Sequence, residues 1–92
     1  MTRITQSFLE SKIRTINGMT KSPVETYRTV NGKAVANVGN YHLSCSYGGY
    51  CLHRMVNESG GCSDVLSIGH VPARELAGLL SAYMAGLYDA TR

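Results

Sequence analysis

Three cysteines in 92 residues are too few, and an odd number, for a disulfide scaffold, so free thiols in a reducing compartment are expected. No apolar run approaches the length that spans a bilayer, and no charged-then-apolar leader opens the chain. Neither a membrane anchor nor a secretory address is therefore expected, and the chain reads as a soluble, cytosolic protein. Charge is sparse too: nine Lys and Arg against six Asp and Glu leave a formal +3. The basic residues Arg3, Lys12, Arg14, Lys21, Arg28, Lys33, Arg54, Arg74 and Arg92 are scattered, without the clustered stripe of a duplex-DNA binder. Such a mildly basic balance suits an anionic ligand. There are no internal repeats or low-complexity tracts, and Gly60-Gly61-Cys62-Ser63 lacks the lysine and spacing of a P-loop, so it reads as a plain turn.

What is present points to one small globular domain, residues 1–92. Apolar residues make up 43% of the chain, which is globular rather than disordered. A domain of this size buries only roughly 60–65% of its unfolded surface, so tight packing or association must help it. Ile4, Phe8, Leu9, Ile13 and Ile16 recur on one helical face, which predicts a helix over 5–16 ended by Asn17-Gly18. Residues 24–30 and 33–38 read as strands around Asn31-Gly32, the strongest two-residue hairpin signal. Two more strands, 41–47 and 50–56, flank Gly48-Gly49. The stretch 57–63 reads as a loop, and 65–68 as a short fifth strand. Pro72 opens a helix over 72–88, with Leu76, Leu79, Leu80, Tyr83, Met84 and Leu87 as its apolar stripe. This order predicts an α+β two-layer sandwich: an antiparallel meander of four to five strands over 24–68, flanked by an N-terminal and a C-terminal helix on one face.

The segment YHLSCSYGGYCLHRMV at 41–56 holds two of three histidines, two of three cysteines and three of six tyrosines. With Gly48-Gly49 as the turn, Tyr47 faces Tyr50, Cys45 faces Leu52 and His42 faces Met55. That register sets Leu43 against Arg54, a mismatch that a bulge near His53 would repair by moving Met55 opposite Leu43.

His42, Cys45, Cys51, His53, Cys62 and His70 are all competent metal ligands. The order His-x2-Cys-x5-Cys-x-His matches no standard finger, however, and strand alternation sends His42 and Cys45 to opposite faces. Neither metal nor cofactor is expected. Cys51 and His53 share a strand face, but a catalytic thiol needs an orienting third group and an oxyanion site, and no such signature exists. The expectation is a non-enzyme. An anion site reads better: Gly69-His70-Val71-Pro72 leads into a helix whose first turn carries Arg74, and free N–H groups there favour phosphate. His70 and Arg74 would add donors, Tyr47 and Tyr50 stacking faces, and Arg54 and Arg28 further charge. On the last helix Gly78, Ala82 and Gly86 recur every four residues, a spacing that permits close approach of a second helix and predicts a homo-oligomer interface.

Asn40-Tyr41-His42-Leu43, Tyr47-Gly48-Gly49-Tyr50, Val56-Asn57-Glu58 with Gly60-Gly61, and Ala73-Arg74-Glu75-Leu76 resemble a family of small accessory proteins of tailed bacteriophages and prophages. The resemblance covers about half of the chain, residues 39–87. It implies a viral protein acting in the host bacterial cytoplasm, in a class of genes that often encode counter-defence factors. Joined to the anion site, this gives the expected function: sequestration of a small nucleotide immune signal by a homo-oligomer. The alternatives are a protein–protein inhibitor of a host defence complex, of the anti-CRISPR type, and a single-stranded nucleic-acid-binding accessory protein.

Overall fold

The computed structural model describes residues 3–91. Seven elements follow in order: α1 (Gln6–Thr20), β1 (Tyr27–Val30), β2 (Lys33–Ala36), β3 (Tyr41–Ser46), β4 (Gly49–Met55), β5 (Cys62–Asp64) and α2 (Ala73–Thr91). The α+β class and the two flanking helices agree with expectation. The single meander does not: the strands form two antiparallel sheets, a β1–β2 hairpin and a three-stranded β3–β4–β5 sheet. No helix among the described residues is long and apolar enough to cross a membrane.

The N-cap of α1 is Thr5, whose hydroxyl accepts from the Phe8 N–H at 3.1 Å, satisfying one of the free donors of the first turn. The helix runs four residues past its expected end. Asn17-Gly18 lies inside it, and Lys21, left-handed at φ 56°, caps it with its N–H turned back to Asn17 and Gly18. The reason is that Asn17 has other work. Its buried amide donates to the Tyr41 carbonyl at 3.0 Å and accepts from the Tyr41 N–H at 2.8 Å, so it faces the sheet instead of ending the helix.

Leu9, Ile13 and Ile16 of α1 meet Leu76, Ala77 and Leu80 of α2, and both helices cover Tyr41 and Leu52 of the sheet. Each of these leucines is fully buried, and each such side chain stabilises the fold by about 1.5–3 kcal/mol. The Tyr41 ring meets Tyr83 of α2 edge-on, with their hydroxyls 2.8 Å apart, and carries the Arg54 guanidinium 4.7 Å above its centre.

The β1–β2 hairpin stands outside this core, with Ala36 its one buried residue. Its attachments are polar. Arg28 pairs with Glu58 at 2.6 Å and donates to Asn37 Oδ1 at 2.7 Å. Buried Asn40 donates to the carbonyls of Pro23 and Val24. Short strands of four residues replace the longer ones expected over 24–30 and 33–38. The fifth strand falls at Cys62–Asp64, overlapping the end of the expected loop, and not at 65–68.

The second hairpin corrects the expected register. Ser46 pairs Gly49, Cys45 pairs Tyr50, Leu43 pairs Leu52, His42 pairs His53 and Tyr41 pairs Arg54. The turn residues are thus Tyr47 and Gly48, at φ 53° and 76°, and the ladder runs without a bulge at His53. Gly49 is glycine for a different reason: a Cβ there would lie 3.1–3.2 Å from atoms of His70 and Val71. Close packing against residues 70–71, not turn geometry, makes a side chain at this position a tight fit.

Candidate functional site

Residues opposed in the ladder share a sheet face. Tyr41, Leu43, Tyr50 and Leu52 point to the helices, where they join or pack against the core. His42, Ser44, Cys51 and His53 point the other way, and the pairing of β4 with β5 sets Asp64 beside His53 and Cys62 beside Met55 on that same outer face. Cys45 falls on the opposite face from His42, as strand alternation requires.

At one end of the molecule, Tyr50 exchanges two backbone hydrogen bonds with Val71, at 2.8 and 2.9 Å. This bridge clips the chain that leads into α2 onto the turn end of the hairpin. Four of the six expected ligand residues, Tyr47, Tyr50, His70 and Arg74, therefore belong to one end of the fold. The Tyr47 ring is fully in solvent at the turn. His70 is exposed and lies 2.9 Å from Ser44 Oγ through Nε2. Arg74 stands exposed in the first turn of α2. Tyr50 is half-buried and packs against the core, so its face is less available for stacking than expected.

Arg28 and Arg54 do not join this group. Arg28 is held by Glu58 and Asn37 on the β1–β2 side. Arg54 lies over the Tyr41 ring and donates from Nε to the Gly39 carbonyl at 3.2 Å. The expected interface residues Gly78, Ala82 and Gly86 lie on an exposed stripe of α2, and a Cβ at either glycine would meet nothing within 4 Å. A groove of about 330 Å³ between α1 and residues 24–26 contains none of these side chains; Glu10, Arg14, Glu25, Tyr41, His42 and Leu43 line it.

The outer face holds a second constellation. The rings of His42 and His53 meet edge-on at 5.8 Å, and those of His53 and His70 at 5.9 Å. Cys62 Sγ lies 3.7 Å from His42 Nε2 and 3.7 Å from Met55 Sδ. Burial, and then the neighbouring His53, hold the His42 imidazole below its ordinary pKa, with a weak contact to the Asn40 backbone opposing them. His42 Nδ1 is itself buried without a well-formed hydrogen bond.

Beside these residues, burial first and Asp64 second push the Cys51 thiol up to about 11. The Cys51–His53 pair thus offers no thiolate near neutral pH. Burial would raise the Asp64 carboxyl, but N–H groups of Gly69, Ser67 and Leu66, with the Cys51 thiol, hold it below its usual value. Asp64 fastens the 67–69 turn, accepting from Ser67 at 3.0 Å and Gly69 at 2.7 Å. The sequence names His42, His53 and Cys62 as competent metal ligands, but only the observed register gathers them. In the expected one, His42 would oppose Met55.

No family model, curated protein or solved structure matches the chain.

Proposed function

We propose that this is a phage-encoded, non-enzymatic counter-defence protein that binds and sequesters a small anionic nucleotide at the end of the molecule formed by the β3–β4 turn and the start of α2. The observation that carries the reading is Tyr47. A bulky side chain at φ 53° costs roughly 1–2 kcal/mol relative to ordinary backbone. Here that cost holds an aromatic ring wholly in solvent, where it adds nothing to the core. Strain of this kind, in a turn that asparagine or glycine would form more easily, marks a position kept for contact. The Tyr50–Val71 bridge sets the start of α2 beside the same hairpin, and its N–H groups with Arg74 and His70 supply donors suited to phosphate. The phage setting is supported by the resemblance of residues 39–87, and the formal +3 suits an anionic ligand.

The test is native mass spectrometry of the purified protein with a mixture of cyclic oligonucleotides and ADP-ribose-type metabolites. A complex retaining one of them supports the reading, and Tyr47→Asn, which keeps the turn but removes the ring, is expected to weaken it about tenfold. Failure to retain any nucleotide, or retention undiminished in Tyr47→Asn, overturns this site and directs the search to a protein target.

A further inference from the structure

We propose that the outer face of the β3–β4–β5 sheet holds a site for one thiophilic transition-metal ion, of the zinc class, with His42, His53 and Cys62 as its ligands. The three residues come from three adjacent strands, so the ladder fixes their spacing. His42 and His53 are directly opposed between β3 and β4, and Cys62 lies on the neighbouring rung of β5, opposite Met55. Their ligand atoms all lie within 4.8 Å of one another. Zinc–nitrogen bonds of about 2.0–2.1 Å and zinc–sulfur bonds of about 2.3 Å place tetrahedral N and S ligands roughly 3.6 Å apart. The observed separation of His42 Nε2 and Cys62 Sγ is 3.7 Å. Closing the widest of the remaining gaps, from 4.8 Å to a tetrahedral N–N or N–S separation, asks a combined movement of about 1.2–1.5 Å shared between two side chains, within reach of small rotations.

The donor chemistry selects the ion. Thiolate and imidazole favour zinc, copper and their neighbours over magnesium or calcium, which take oxygen ligands. The surroundings agree, since Met55 Sδ lies 3.7 Å from Cys62 Sγ. With three protein ligands, the fourth tetrahedral position is left for water or for this thioether. Coordination through His42 Nε2 leaves Nδ1, now buried without a well-formed partner, to carry the proton and turn it toward the nearby Asn40 backbone, the usual arrangement behind a metal-bound histidine. On binding, the Cys62 S–H bond breaks, its electron pair forms the metal–sulfur bond, and one proton leaves to solvent. No residue of this site is needed for nucleotide capture, so either proposal can fail alone.

The experiment is titration of the intact, reduced protein with Co²⁺, followed by displacement with Zn²⁺. The expected result is one ion per chain, with thiolate charge-transfer absorption and the visible bands of tetrahedral cobalt, and a Zn²⁺-dependent rise in melting temperature. Cys62→Ser should abolish the charge-transfer band. His42→Gln and His53→Gln should each weaken binding at least tenfold. Circular dichroism of the metal-free variants confirms that they fold, and Cys45→Ser, on the opposite sheet face, should bind like the parent. Absence of stoichiometric binding overturns the proposal, as does binding that survives Cys62→Ser or both histidine variants. Binding lost in Cys45→Ser would place the ion elsewhere and overturn it equally.

Discussion

The two hairpins of this protein close with the same turn and serve opposite ends. Asn31-Gly32 takes φ 50° and 78°, and Tyr47-Gly48 takes φ 53° and 76°. Both are two-residue loops with positive φ at each position, the geometry that matches the twist of the flanking strands. In the first hairpin asparagine occupies the left-handed position at little cost, and strands β1 and β2 bury almost nothing. In the second a tyrosine occupies it, while the strands behind it carry Tyr41 and Leu52 into the core. The comparison teaches that a turn residue can be judged against its own twin. Where the same backbone is built once with the easy residue and once with the hard one, the turn itself does not explain the hard one.

The sharpest way to break this contrast is through the strands. Leu52→Ala, at a fully buried position, is expected to cost about 2–5 kcal/mol in urea unfolding, whereas Val30→Ala, at 42% exposure, should stay within about 0.5 kcal/mol. A comparable loss at Val30 would mean that the first hairpin belongs to the cooperative core. The turns themselves give the next effect. Tyr47→Asn should stabilise the protein by about 0.5–1 kcal/mol, and Asn31→Tyr should destabilise it by a similar amount, because each exchange moves one turn toward the other. Equal signs in the two melts would show that the turns are not equivalent after all.

A titration probes the contact of the second hairpin with α2. Burial first, then the hydrogen bond to Tyr41, push the Tyr83 hydroxyl from its usual 10.0 up to about 12. Its folded pKa is raised, so the proton is held more tightly in the native state, and this contribution to stability is complete below about pH 10. It is lost as pH rises through about 12. Tyr83→Phe should flatten that alkaline limb of the stability curve.

Much of this architecture was legible because local chemistry and tertiary structure agree. The spacing of Leu9, Ile13 and Ile16, the stripe from Leu76 to Leu87 and the Asn31-Gly32 pair each point to the element observed. The errors have physical causes. Asn17-Gly18 reads as a stop because both residues favour a helix end, yet the Asn17 amide is needed at the sheet. Gly48-Gly49 reads as the turn because glycine accepts positive φ, yet Gly49 is glycine for close packing against residues 70–71. That one misassigned residue moves the pairing by two positions. His42 was legible as a ligand and His53 as another, but their meeting depends on the register alone. The proposed anion site was half-legible: Tyr47, His70 and Arg74 stand at one end, while Arg28 and Arg54 are drawn away by Glu58 and Tyr41, partners that no local pattern announces.

The amide of Asn17 has one further consequence. β3 is an edge of its sheet, and an open edge is a template to which any extended chain can attach. A carboxamide carries a donor and an acceptor much like those of a peptide group, and Asn17 offers both to Tyr41. It acts as a counterfeit strand one residue long, filling the first rung of the ladder before another molecule can. A side chain that reads as helix punctuation thus occupies the edge groups of Tyr41 that an incoming strand would otherwise meet.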